Sequence, residues 1–360
     1  MSIENEILSA MPVIGSEQLA LLERLSNACA VSGDESEVRA IVMEQVKACV
    51  DEVRVDALGN LLAVHKSRVA NPLRVMVAAH MDEVGLMLIN DEENGLYSFA
   101  TVGGIDVRTL VGKSVLVGKE HVPGVIGAKP FHHTEEGETD QKIPLDALRI
   151  DVGIGRNGKV KVGDWACFAT RFAQVGPSLR GKALDNRLGV ATLIELVKHA
   201  PDHIELQAAF TVQEEVGLRG ARVAAYSLNP DLAFAIDSTP AFDLPVWDGT
   251  ENAQYNTYLG AGPAIYIADS RTLSDPRLVR YLAEIGDRLS IPYQFRQPGG
   301  GGTDAGAIHM RRAGIPSVSV SIPSRYPHTG VMVARLVDWQ NTLALLHAAL
   351  AGVTSEIIIR

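Results

Sequence analysis

Cysteine is scarce in this sequence, and basic residues are missing from its start. The three cysteines, Cys29, Cys49 and Cys167, are odd in number and widely spaced. This pattern favours reduced thiols in a cytoplasm over a disulfide framework or a zinc site built from cysteines, and we expect small buried side chains. The first fifteen residues contain no Lys or Arg, so they lack the basic segment of a secretory signal and export is not expected.

Long apolar runs and an excess of positive charge are also missing. The longest purely apolar stretches, such as residues 75–79, are much shorter than the ~20 residues of a membrane-spanning helix. The 43 acidic residues outnumber the 33 basic ones, which gives a net charge of -10 and no evident basic patch. Because such a chain repels a phosphate backbone, we expect neither a membrane nor a nucleic acid as partner.

The composition is that of a globular chain with a large core. Of the 360 residues, 46% are hydrophobic and 21% charged, which is enough for one very large domain or two ordinary ones. Hydrophobic periodicity predicts amphipathic helices at residues 16–30 and 34–50. The second helix is predicted to begin with a capping box formed by Asp34 and Glu37.

The next part of the chain changes from α/β to β-rich character. Strands are predicted at residues 51–56 and 61–65, and the nearly continuous apolar run at 73–80 is typical of a strand buried on both faces. Residues 85–176 contain short β-type runs separated by glycines. Helices and strands then alternate again at residues 186–200, 204–212, 220–228, 232–236, 275–289, 304–313, 317–321 and 334–350.

This pattern predicts an α/β domain interrupted by an insertion. The α/β domain comprises residues 1–84 and 177–360, and residues 85–176 form an inserted β-rich domain.

Acidic and histidine side chains recur where the predicted buried strands end. His80 and Asp82 follow one strand and share a face, because alternate residues of an extended segment point the same way. Glu214 and Glu215 follow a second strand, and Asp237 follows a third. Ligands of open α/β sheets bind at the carboxyl ends of the strands, so this edge is the candidate site.

Two further candidates are Asp185, which opens a predicted helix, and His328, which lies in a loop after the last predicted strand. Taken singly, each such residue is more often a helix cap or a turn residue. Together they favour a cation site, because converging carboxylates repel each other strongly unless a cation compensates them. Three carboxylates and two imidazoles suit a pair of Zn²⁺, Co²⁺ or Mn²⁺ ions better than an all-oxygen Ca²⁺ or Mg²⁺ cage.

The adjacent pair Glu214 and Glu215 indicates hydrolysis. One carboxylate can bind a metal while its neighbour stays free as a general base toward water, whose pKa the metal lowers toward ~7. Amide hydrolysis is therefore the expected reaction class. A glycosidase needs two carboxyl groups ~5–9.5 Å apart on opposite sides of a sugar bond, which adjacent glutamates fit poorly.

Six motifs resemble, in order, those of the glutamyl and tetrahedral aminopeptidases, a family of dinuclear metallopeptidases whose members also carry endoglucanase labels. The motifs are AAHMDEVGLM, KALDNRLG, FTVQEEVGLRGA, AIDST, GGTDA and RYPHT. The resemblance extends over nearly the whole chain. It implies a mixed-sheet, zinc-peptidase-like catalytic domain and a barrel-like dimerisation domain at residues 85–176.

The resemblance implies a role for each metal-binding position. Asp185 would bridge two metal ions. His80 and Asp237 would complete one metal site, and Glu215 and His328 would complete the other.

The two remaining positions would serve catalysis: Glu214 as the base, and Asp82 as the support of the His80 ligand. The implied activity is release of N-terminal residues from short peptides with two divalent ions, Zn²⁺ or Co²⁺ first and Mn²⁺ as a further candidate. The implied partners are peptide substrates and other copies of the chain, bound through the insert in a dimer or a tetrahedral dodecamer.

Three alternatives stay open at this point. They are a two-metal amidohydrolase or carboxypeptidase with the same centre, a glycoside hydrolase, and a non-catalytic scaffold derived from a hydrolase. Glycines 299–302 lack the Lys of a nucleotide-binding loop. His132 and His133 are predicted to lie in a solvated loop.

Overall fold

Two β structures organise the residues that the computed structural model describes, namely 9–135, 137–155, 158–245 and 256–359. One is a mixed eleven-stranded sheet with helices on both faces, and the other is a closed barrel. The helices are α1 (Ser16–Asn27), α2 (Ser36–Val46), α3 (Leu184–Lys198), α4 (Arg219–Leu228), α5 (Pro276–Leu289), α6 (Asp304–Ile308) and α7 (Leu336–Gly352).

The large sheet combines strands from both ends of the chain. Its members are β1 (Glu52–Val55), β2 (Leu61–His65), β3 (Leu73–His80), β10 (Ala173–Val175), β11 (Ser178–Gly181), β12 (Ile204–Thr211), β13 (Leu232–Pro240), β14 (Ala264–Tyr266), β15 (Gln294–Arg296), β16 (Ser317–Arg325) and β17 (Met332–Arg335). The main order is β1-β2-β12-β3-β13-β16-β17-β11-β10, with β14 and β15 alongside β16. The central strands β12, β3, β13 and β16 are parallel, so their carboxyl ends meet at one edge.

Strand β3 is buried because both faces of the sheet are covered. Val75 and Val77 pack in the larger core with helices such as α1, α3 and α7. Met76 and Ala78 point the other way and pack with α4 and α6. This arrangement explains the nearly continuous apolar run, because a strand between two helical layers has no solvent face.

The barrel has its own core. Its strands are β4 (Gly85–Asp91), β5 (Leu96–Val102), β6 (Ser114–Val117), β7 (Val122–Gly127), β8 (Arg149–Asp151) and β9 (Trp165–Phe168), closed in the order β4-β5-β8-β7-β6-β9. Leu86, Phe99, Ile126 and Ile150 fill its interior. The predicted fold class, a mixed-sheet α/β unit with a barrel-like β-rich part, is confirmed. In the described part of the chain, no helix is both long and apolar enough to cross a bilayer.

Two local predictions are wrong. The capping box at Asp34 and Glu37 does not form, because α2 begins at Ser36 and the Glu37 carboxylate instead accepts a hydrogen bond from the Cys29 N–H at 2.9 Å. Asp237 does not follow its strand, because β13 continues to Pro240 in parallel pairing with β16. The extra length of β13 comes from pairing with β16, a segment far away in sequence.

Candidate metal centre

Three side chains converge where β3 and β13 meet the start of α3. The register pairs Ala78 with Ala235, which places His80 and Asp237 next to each other two residues further along. His80 Nε2 lies 3.3 Å from Asp185 Oδ1 and 3.5 Å from Asp237 Oδ1. Their ligand atoms all lie within 4.8 Å of one another, and all three residues are buried.

A second group shares Asp185 with the first. Asp185 Oδ2 lies 3.6 Å from His328 Nε2, which in turn is 3.2 Å from Glu215 Oε2. Asp185, Glu215 and His328 also offer ligand atoms within 4.8 Å of one another. The two oxygens of the Asp185 carboxylate therefore face different groups.

Backbone carbonyls orient both imidazoles. The Nδ1 atom of His328 lies 2.9 Å from the Gly104 carbonyl oxygen, and that of His80 lies 3.2 Å from the Asp82 carbonyl oxygen. A carbonyl only accepts, so each Nδ1 carries a proton, which leaves Nε2 as the ring atom that can bind a metal. Neutral imidazoles held in this way are suited to bind metal.

Asp82 is buried, and its carboxylate contacts both the His80 ring and the backbone of two glutamates. Its Oδ1 accepts a hydrogen bond from the Glu214 N–H at 3.0 Å, and its Oδ2 accepts one from the Glu215 N–H at 3.1 Å. The Ser32 hydroxyl donates to Oδ2 at 2.6 Å. The same carboxylate lies 3.5 Å from His80 Nδ1, so it links one imidazole to the backbone of both glutamates.

A buried charged network holds the segment that carries Asp82. Lys182 Nζ donates to both Glu83 oxygens at 2.7 and 2.9 Å. The Arg187 guanidinium donates to Glu83 at 3.0 Å and to the Met81 and Asp82 carbonyls. Sequence reasoning missed this network. Its visible signal was the pair of cations, Lys182 and Arg187, close to Asp185 in the sequence.

The electrostatics of the site show excess negative charge. Burial raises the pKa of Glu215 to about 8 and that of Asp237 to about 6, and it raises the pKa of Glu214 well above its usual value. Burial lowers the pKa of His80, but the charge of Glu214 and hydrogen bonds with the surrounding carboxylates raise it well above the usual range. Although burial raises it, hydrogen bonding with His80 lowers the pKa of Asp185 to about 2. Divalent cations relieve this excess of negative charge.

The donor set fits divalent transition-metal ions. Asp185 Oδ1 is buried without a hydrogen bond of normal geometry among the described residues, and it lies 3.3 Å from His80 Nε2, so a bound cation would satisfy both atoms. Imidazole and carboxylate together suit Zn²⁺, Co²⁺ or Mn²⁺. His132 and His133 lie in an exposed turn and belong to none of the candidate metal groups among the described residues.

Asp304 is a site residue to which sequence reasoning gave no role. It is buried at the start of α6, and its Oδ2 accepts a hydrogen bond from the Thr211 hydroxyl at 2.5 Å. Burial raises its pKa to about 7. Thr211 pairs with His80 across β12 and β3, so Asp304 lies close to the group formed by His80, Asp185 and Asp237.

The site opens into a cleft of about 900 Å³. Asp185, Glu214, Glu215, Asp237 and His328 line its floor. Its described walls carry the glycine run and four cations, namely Gly299, Gly300, Gly301, Gly302, Arg222, Arg271, Arg296 and Arg311. A negative floor under a basic wall is suited to a ligand with an amine at one end and negative charge at the other.

Acid–histidine groups at the carboxyl edge of an α/β sheet are typical of metal-dependent hydrolases. The family model described as M42 glutamyl aminopeptidase matches residues 59–345. The chain belongs to this family. It is an aminopeptidase, a hydrolase of peptide bonds, as predicted.

Individual relatives agree over almost their whole length. A relative from Acetivibrio thermocellus is 38% identical, with 92% of this chain and 97% of the relative covered. The lysyl aminopeptidase of Pyrococcus furiosus is 31% identical, with 92% and 96% covered. Among solved structures, the aminopeptidase APDkam598 from Desulfurococcus kamchatkensis superposes with a TM-score of 0.88 at 35% identity, with 95% and 96% covered. The Pyrococcus horikoshii TET1 peptidase, which assembles into a tetrahedron or a large octahedral shell, superposes with a TM-score of 0.80 at 33% identity, with 92% and 98% covered.

Proposed function

We propose that this chain is a two-metal aminopeptidase that releases N-terminal residues from short peptides. The observation that carries the proposal is the position of Asp185, whose two oxygens face two separate ligand groups. His80 and Asp237 hold one ion, and Glu215 and His328 hold the other. Cations bound there supply Lewis-acid polarisation of a carbonyl oxygen and lower the pKa of water.

Glu214 is the proton carrier in this proposal. It lies beside the ligand Glu215 and lines the cleft, but it belongs to neither metal group. Its carboxylate accepts a proton from the attacking water as the new C–O bond forms. It then delivers that proton to the leaving amine nitrogen as the C–N bond breaks. Asp82 keeps Glu214 in place through its backbone N–H.

The cleft wall favours an acidic N-terminal residue. Arg222, Arg271, Arg296 and Arg311 line it, whereas its described carboxylates are the floor residues. A Glu or Asp side chain of the substrate would meet complementary charge at this wall, and a Lys side chain would be repelled.

The proposal also includes association between copies of this chain. The TET1 relative forms closed shells, and the barrel of this chain exposes apolar side chains such as Ile89 and Val162. We place the contact between copies on the barrel. Light scattering of wild type and Ile89→Lys tests it: a mass of at least two subunits should fall toward one in the variant, and an unchanged mass would remove this face from the contact.

One substrate comparison separates the proposal from its alternatives. A glutamyl peptide with a free amine, the same peptide with the amine acetylated, and a soluble cellulose are assayed with the metal-loaded protein. We expect hydrolysis of the free peptide alone. Cleavage of the acetylated peptide would indicate an amidohydrolase or carboxypeptidase, cleavage of cellulose would indicate a glycosidase, and no cleavage at all would favour a scaffold.

A further inference from the structure

A second type of donor cluster lies where the barrel meets the large sheet. Cys29 follows α1 and Glu37 lies on α2, whereas His121 lies in the turn between β6 and β7 and Cys167 lies on β9. None of the four residues contributes to the catalytic groups. The expectation that the cysteines are simply buried apolar side chains holds for Cys167 alone, because Cys29 and Cys49 are partly exposed.

Three of the four donors are close enough to share one ion. Ligand atoms of Cys29, Glu37 and His121 lie within 4.8 Å of one another, and His121 Nε2 is 2.5 Å from Glu37 Oε1. The Cys167 side chain lines the same small cavity as these three residues. Ligands at ~2.0–2.3 Å from a tetrahedral zinc ion lie about 3.3–3.8 Å apart, so small side-chain rotations convert this cluster into a coordination shell.

A small cavity gives an ion access to these donors. The cavity has a volume of about 110 Å³, and all four side chains line it. The His121 and Glu37 side chains are 39% and 38% exposed, which leaves a path from solvent to the buried thiol.

We propose that Cys29, Glu37, His121 and Cys167 bind one zinc-class divalent cation that joins the barrel to the large sheet. Two sulfur atoms, an imidazole and a carboxylate form a mixed donor set that suits Zn²⁺ and Co²⁺ and is unsuited to Ca²⁺ or Mg²⁺. The site is structural, since four protein ligands leave no position open for a substrate.

The charged groups around these four side chains do not oppose the binding of a cation. Lys182 lies near both thiols, but its charge is neutralised by Glu83 at 2.7 and 2.9 Å. Lys119 on the cavity wall is paired with Asp34 at 3.1 Å. Hydrogen bonding with Cys29 and burial raise the pKa of Cys167, so ion binding must displace its proton.

Cobalt titration of the metal-free, reduced protein tests the site without measuring activity. Thiolate bound to Co²⁺ gives a near-ultraviolet charge-transfer absorption, and the catalytic groups contain no cysteine. We expect this absorption in wild type and in the control Cys49→Ser. Cys29→Ser should lose it and bind one ion fewer per subunit. Its absence from wild type at saturating cobalt, or its survival in Cys29→Ser, would overturn the proposal.

Two more variants make the test independent of folding and of the catalytic site. Asp185→Asn should keep the thiolate absorption, because its change lies in the other metal groups. His121→Gln replaces a half-buried turn residue and should weaken cobalt binding at the thiolate site about tenfold or more. If Cys29→Ser does not fold, unchanged cobalt affinity in a folded His121→Gln protein would contradict the site.

Discussion

Replacing Asp82 by Asn is the most informative perturbation of the site, because one carboxylate serves both the His80 ring and the glutamate backbone. The carboxylate accepts the Glu214 N–H on one oxygen, and the Glu215 N–H together with the Ser32 hydroxyl on the other. Asn has the same shape but only one acceptor oxygen. Whichever way its amide is turned, an amide N–H group faces a backbone N–H group.

The expected loss of stability follows from this mismatch between two N–H groups. A buried donor left without an acceptor costs about 1–3 kcal/mol, and a hydrogen bond to a charged group contributes about 1.5–3 kcal/mol. We therefore expect Asp82→Asn to lower the free energy of unfolding by about 2–4 kcal/mol. Disturbing the support of a metal ligand typically costs about 10- to 100-fold in activity or metal affinity, so kcat/KM should fall by that factor.

Denaturant unfolding and kcat/KM are measured on wild type, Asp82→Asn and Ser32→Ala. Ser32→Ala removes one donor and leaves no backbone N–H unpaired, so it should lose less than about 1.5 kcal/mol and keep most activity. Wild-type stability and activity in Asp82→Asn would refute the reasoning, and so would an equal loss in the Ser32 variant.

Three further predictions concern catalysis and specificity. Glu214→Gln should keep its fold and bound metal but lose about 10²- to 10⁴-fold in kcat in a peptide assay. The exposed control Glu23→Gln should match wild type. Equal turnover in the two variants would remove Glu214 from the mechanism. Exhaustive chelation should abolish hydrolysis, with Zn²⁺ or Co²⁺ restoring it, and activity that survives chelation would contradict a metal-dependent reaction. In the double variant Arg222→Gln, Arg271→Gln, the ratio of kcat/KM for a glutamyl substrate to that for an alanyl substrate should fall about tenfold. The control Arg180→Gln, which lies outside the cleft, should keep the wild-type ratio. An unchanged ratio in the double variant would exclude these arginines from specificity.

The fold class could be predicted from sequence because its signals are local. The nearly continuous apolar run at 73–80 indicates a strand between two helical layers, and the glycine-separated strands indicate the barrel. The boundaries at 84/85 and 176/177 stay a proposal. β10 lies inside residues 85–176 but pairs with β11 of the large sheet, so we place the end of the insert nearer to Phe168.

The candidate site residues stand out in sequence because strand ends and paired carboxylates are visible there, whereas the groups that support them are not. The double role of Asp82 depends on where two backbone N–H groups point, and Ser32 approaches from a distant loop. The cluster of Cys29, Glu37 and His121 forms only when the barrel packs against the large sheet. Cytoplasmic location and the identity of the metal stay predictions.

Diffraction from crystals loaded with zinc, with anomalous differences recorded at the zinc edge, tests the central claim most directly. We expect two peaks per catalytic cleft, about 3.5–4 Å apart, with one oxygen of Asp185 bound to each. A single peak, or two peaks of which only one contacts Asp185, would contradict a bridged two-metal centre.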